Sequence, residues 1–104
     1  MKRCRVVTLP SAERQILRQV LFIAEDSVDN ALAWEQRIRA AVQSLGEIPR
    51  AALDEDATDR LGEPIHKFVF EKTYLIHYRF VDSGRTVEIL NFRHGARLPK
   101  RGEP

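Results

Sequence analysis

The apolar residues of this chain change period part-way along, and that change limits the possible folds more than any single motif. Between Ser11 and Leu45 they recur every three or four positions; from Ile65 they alternate. The first spacing belongs to helices with one buried face and the second to strands with one buried face. In 104 residues, both must share one small core, so a single α+β domain is expected, spanning 1–104.

The segments can be placed from local chemistry. Arg3 to Leu9 reads as a strand, with Val6, Val7 and Thr8 as β-formers. Pro10 suits the first turn of a helix, where its missing N–H is not needed. From Ser11, the residues Ala12, Ile16, Val20 and Ile23 form one stripe, flanked by Leu17, Leu21 and Ala24. Glu25-Asp26-Ser27 interrupts it, and Ser27 or Asp29 can cap a second helix. In that helix Ala31, Trp34, Ile38, Ala41, Val42 and Leu45 share a stripe. Gly46 suits a left-handed helix end, and Pro49 prevents the helix from resuming. The short break predicts an antiparallel helical hairpin. Residues 50–63 read as a loop or a single helical turn, acidic through Asp54-Glu55-Asp56.

Three strands follow, around Ile65–Phe70, Tyr74–Val81 and Thr86–Phe92, joined by turns at Glu71-Lys72-Thr73 and Asp82-Ser83-Gly84-Arg85. Short turns make them an antiparallel meander. Phe68, Phe70, Ile76, Tyr78 and Phe80 are expected to face the helices, leaving Lys67, His77 and Arg79 exposed on the other side. Glu88 does not suit a buried face and leaves the register of the last strand open. The resulting architecture is an N-terminal strand, a helical hairpin and a three-stranded meander, with the helices on one face of the sheet.

Charge is unevenly placed. Residues 1–59 hold 8 Lys/Arg against 10 Asp/Glu, and residues 60–104 hold 9 against 5. The basic run 93–104 opens with Arg93, Arg97, Lys100 and Arg101 before any acid, a patch suited to phosphates or an acidic protein segment, or simply a solvated terminus. Cys4 is the only cysteine, so no internal disulfide can form, which fits a reducing cytoplasm. No apolar run is long enough to cross a bilayer, and no long apolar segment follows the basic start, so neither membrane association nor a signal peptide is expected. His66, His77 and His94 are too scattered for a zinc site, and no Gly-rich loop suggests a nucleotide; no metal and no cofactor are expected.

In order and spacing, several of these pieces resemble the RelE/ParE superfamily of toxins from type II toxin–antitoxin pairs. They are the first strand running into Pro10-Ser11-Ala12, the helix end Leu45-Gly46-Glu47-Ile48-Pro49, the run Tyr74-x-Ile76-x-Tyr78-Arg79, and the ending Ile89-Leu90-x-Phe92-x-His94-Gly95-x-Arg97. The resemblance spans about Val6 to Arg97. It implies one of two activities: ribosome-dependent cleavage of messenger RNA in RelE-like members, or poisoning of DNA gyrase in ParE-like members. The ribonuclease branch commonly carries an arginine where this chain has Leu75 and a second lysine where it has Val69. It also often uses a C-terminal tyrosine or histidine, and the two tyrosines here are Tyr74 and Tyr78. These departures, with the His94-x-x-Arg97 ending, favour the ParE-like branch.

What the resemblance implies is therefore a growth-arresting, plasmid-stabilising toxin that inhibits gyrase by protein–protein contact, is not itself an enzyme, and is neutralised by a cognate antitoxin in a hetero-oligomer. Target-binding candidates are Arg79, Arg93, His94 and Arg97. Antitoxin-binding candidates are Leu17, Leu21, Ala24, Arg93 and Arg97. One alternative is a RelE-like endoribonuclease acting on the ribosome and mRNA; metal-free RNA cleavage needs a base, an acid and cations, and Lys67, His77, Arg79, His94 and Arg97 would supply them. Another is an inactive relative that only binds its antitoxin. Structural roles are open for the same side chains: His77 can bond a neighbour, His94 and Arg97 can pin the strand end, Arg79 can pair with Glu88, and Leu17, Leu21 and Ala24 can complete the core.

Overall fold

A computed structural model describes residues 4–47 and 53–94. Strand β1 (Arg5–Thr8) leads into helices α1 (Pro10–Ala24) and α2 (Val28–Ser44). A short helix α3 (Glu55–Leu61) precedes strands β2 (His66–Phe70), β3 (Tyr74–Val81) and β4 (Thr86–His94). The strands form one mixed sheet in the order β1-β4-β3-β2, with β1 parallel to β4 and the other neighbours antiparallel.

Local signals set the helix ends. Pro10 opens α1. Ser27 caps α2, its hydroxyl accepting the Asn30 N–H at 3.1 Å. The acidic stretch forms two turns rather than a loop or one turn, because Asp54 caps it by accepting the Ala57 N–H, and Gly62 ends it at φ 77°. Gly46 departs from expectation: among the described residues the left-handed glycines are Gly62 and Gly84, not Gly46. A Cβ at Gly46 would stand 2.6 Å from the Cys4 carbonyl oxygen and 2.9 Å from Val6 Cγ2. The residue is small so that the end of α2 can touch β1, where the Cys4 N–H donates to Gly46 O at 2.8 Å. Pro49 lies outside the described residues.

The helices cover one face of the sheet. Ala12 and Ile16 of α1 and Trp34, Ile38 and Val42 of α2, with Leu45 just beyond it, meet Ile76, Tyr78, Val87, Ile89 and Phe92 in one cluster. Trp34 sits edge-on to Phe70, Tyr74 and Phe92, a favoured aromatic geometry. Arg39 fastens the hairpin, with a bidentate pair to Glu13 at 2.7 and 2.8 Å and a contact to Glu35 at 3.2 Å.

The register of β4 turns on one extra residue. His77 pairs with Asn91, but the next residue, Tyr78, pairs with Ile89, so Leu90 bulges. The buried positions shift phase accordingly, from Val87 and Ile89 to Phe92. Helix α1 satisfies the bulge: the Ser11 hydroxyl donates to Leu90 O at 3.1 Å, and the Phe92 N–H donates to Gln15 Oε1 at 2.8 Å. Glu88 thereby falls on the face away from the helices, opposite Arg79. Four non-glycine residues in the hairpin turns, Glu71, Lys72, Asp82 and Ser83, take positive φ, a conformation that costs side chains with a Cβ.

Candidate functional site

The candidate residues do not converge. Strand pleating divides them between the two faces of the sheet. Lys67, His77, Arg79 and Arg93 lie on the face away from the helical hairpin, with Lys67 directly across from His77 and Arg93 across from Leu75. His94 lies across from Tyr74 on the helical face, its ring edge-on to the Tyr74 ring. Its Nδ1 is buried without a hydrogen-bond partner. Arg97 lies outside the described residues, as does the basic run beyond His94.

Burial corrects one expectation. His77, read from alternation as an exposed residue, is 4% exposed. Its Nε2 lies 2.6 Å from Asp54 Oδ2 and its Nδ1 3.0 Å from Asn91 Oδ1. Each ring nitrogen therefore has a partner. Period-two spacing sorts residues between faces, but it carries no information about another segment closing over the outer one. That segment runs from Leu53, which bridges His66, through α3 to Ile65. Burial pushes the Asp54 carboxyl up; hydrogen bonds from His77 and the Ala57 N–H, with the charges of His77 and Lys67, more than reverse this and leave it below the ordinary carboxylate value.

Arg79 is also engaged. Its Nε donates to Glu88 Oε1 at 2.9 Å, the cross-hairpin pair allowed for in the sequence, and its Nη1 donates to Glu63 Oε2 at 2.7 Å. Asp54 and Glu63 are the site residues that sequence reading missed. The capping pattern at Asp54 was a usable signal for α3, but nothing local pairs it with a strand residue 23 positions later. Lys67 and Arg93 are exposed, whereas Arg79 is half-buried.

A second surface lies on the helices. Of the antitoxin candidates, Leu17 and Leu21 are exposed and do not complete the core, whereas Ala24 is half-buried. Phe22 on α1 and Val28 and Leu32 on α2 are also exposed, Leu21 and Phe22 at 68% and 65%. Large apolar side chains grouped about one hairpin are the composition of a contact surface.

Among the described residues no helix is long and apolar enough to cross a membrane. No group of three or more His, Cys, Asp or Glu among them could hold a metal ion. No curated protein matches the chain. The family model for the ParE toxin of the type II toxin–antitoxin system parDE matches residues 6–99, a span that includes the hairpin, the sheet from Val6 onward and the segment that closes over His77. With the helical hairpin on one face of a mixed four-stranded sheet and that match along almost its full length, the chain belongs to the ParE toxin family of type II toxin–antitoxin systems.

Proposed function

We propose that the protein arrests growth by binding DNA gyrase in the cytoplasm, and that a cognate antitoxin neutralises it by covering the exposed apolar residues of the helical hairpin. The observation that supports a binding mechanism over RNA cleavage is the separation of the two C-terminal histidines. His77 is sealed between Asp54 and Asn91, and His94 stands on the other face of the sheet from Lys67 and Arg79. General acid–base cleavage needs both groups within reach of one phosphodiester, and this arrangement holds them apart.

The target surface draws on Arg93 and His94 at the end of β4 and on Arg97 beyond it, with Arg79 held behind its two carboxylates. The antitoxin surface centres on Leu17 and Leu21, extended by Phe22, Val28 and Leu32 and flanked by Ala24, with Arg93 and Arg97 available to acidic residues of the antitoxin. A segment that folds on binding offsets its ordering entropy with apolar contact area of this kind.

The test is a gyrase supercoiling assay run beside in vitro translation, each with and without the cognate antitoxin. Loss of supercoiling with intact translation, reversed by antitoxin, is the expected result. Intact supercoiling with cleaved mRNA would overturn the proposal in favour of a ribonuclease, and inactivity in both assays would leave an antitoxin-binding relative.

A further inference from the structure

Besides the backbone bridge from Leu53 to His66, two side-chain pairs, one near each end, fasten the segment from Leu53 to Ile65 to the outer face of the sheet. Asp54 meets His77 and Glu63 meets Arg79, and those two partners are successive outward-facing residues of β3. Apolar anchoring rests on Ala57 within α3 and on Ile65 at the segment's end, both buried, while Leu61 is exposed. The segment also carries its own internal support: Asp54 caps Ala57, and the Thr58 hydroxyl accepts the Ile65 N–H at 2.9 Å. An element that holds its own shape and buries only two apolar side chains between its ion pairs is the kind that opens locally, below the cost of global unfolding.

We propose that this segment is a displaceable strap standing in for an acidic peptide of a protein partner, which takes the Lys67–His77–Arg79 face when the strap lifts. The proposal rests on the toxin reading above only in supposing a protein partner. The choice of ligand comes from what the face already holds: the carboxylates of Asp54 and Glu63 against His77 and Arg79, with Lys67 across from His77. Single-stranded nucleic acid fits less well. Binding of that kind relies on aromatic side chains for base stacking, and the residues beside these cations on the outer face are Val69, Leu75, Glu88 and Asn91. The strap lowers the affinity of the closed protein by the fraction of time it is open, which makes it a threshold against weak acidic partners.

The experiment uses the full chain and needs neither gyrase nor antitoxin. The probe is a fluorescent synthetic peptide of residues 53–65, with a second peptide in which Asp54 and Glu63 are Asn and Gln. A D54N/E63Q variant of the protein is expected to bind the acidic peptide at least about tenfold more tightly than the unaltered protein does. Adding Arg79→Gln to that variant should remove the gain, and the substituted peptide, which lacks the two carboxylates that meet His77 and Arg79, should not bind. In the unaltered protein, amide hydrogens of 54–65 should exchange faster than those of Ile76 and Tyr78 in β3. Exchange of the strap only at the rate of the central strand would overturn the proposal, even if the variant fails to fold. Equal peptide binding by both proteins would overturn it too, as would binding of single-stranded RNA in place of the peptide.

Discussion

Replacing Gly46 with alanine tests the packing argument by the sign of its effect. Gly46 is not in the left-handed region, so on backbone grounds alone alanine should stabilise the protein by about 0.4–1 kcal/mol through a less disordered unfolded chain. The added methyl, however, meets the Cys4 carbonyl oxygen at 2.6 Å and Val6 Cγ2 at 2.9 Å. The first of these is backbone, and it is tied to the glycine by the Cys4 N–H bond to Gly46 O. The end of α2 cannot retreat from β1 without lengthening that bond. Overpacking of this size costs about 1–3 kcal/mol, and weakening a backbone hydrogen bond about 1 kcal/mol. After the alanine gain is subtracted, a net loss of about 2 kcal/mol remains. At about 4–8 °C per kcal/mol for a domain near this size, Tm should fall by roughly 8–16 °C. Urea unfolding should show a lower midpoint at an unchanged slope. Gly62→Ala is the comparison: with φ 77° and nothing within 4 Å of the added methyl, it should lose about 1–2 kcal/mol from backbone strain alone. A Gly46→Ala protein as stable as the parent, or more so, would refute the close approach of α2 to β1.

Two further outcomes follow from buried groups. The Tyr78 hydroxyl is buried without a hydrogen-bond partner, so Tyr78→Phe should raise stability by about 1 kcal/mol in a denaturant titration, and a loss would show a partner the geometry lacks. Hydrogen bonds from Arg39, with its charge, hold the Glu13 carboxyl below its ordinary value against the opposing effect of burial, and Asp54 is held low as well. Groups whose folded pKa is depressed contribute stability above the unfolded pKa and lose it as pH falls through the folded one. The unfolding midpoint should therefore stay level from neutral pH and drop below about pH 4, and a Glu13→Gln/Asp54→Asn variant should show a shallower drop.

Most of the elements were legible along the chain because the physics that forms them is local. Three-to-four spacing from Ala12 to Ile23 and from Ala31 to Leu45 marks both helices, and the buried residues of α1 and α2 fall on those stripes. Alternation from Phe68 to Phe80 marks the strands and assigns Ile76 and Tyr78 to the core correctly. Pro10 and Ser27 mark helix starts for reasons contained within one turn. The motifs from Pro10-Ser11-Ala12 to the end of β4 were enough to indicate the family that the match over 6–99 bears out.

The candidate site was less legible, because its contacts join residues whose spacing along the chain carries no pattern. Alternation put His77 on the outer face but could not reveal that Asp54 closes over it. It separated His94 from Lys67 and Arg79 only once the bulge at Leu90 had set the phase of the last strand. The small residue at Gly46 was explicable by a helix end until β1 lay against it. Side-chain spacing along the sequence thus determined where α1, α2, β2 and β3 form and which of their residues turn toward the shared core. Tertiary structure alone decided how those faces are capped, phased and latched, since that depends on where distant backbone groups find partners once the core has closed.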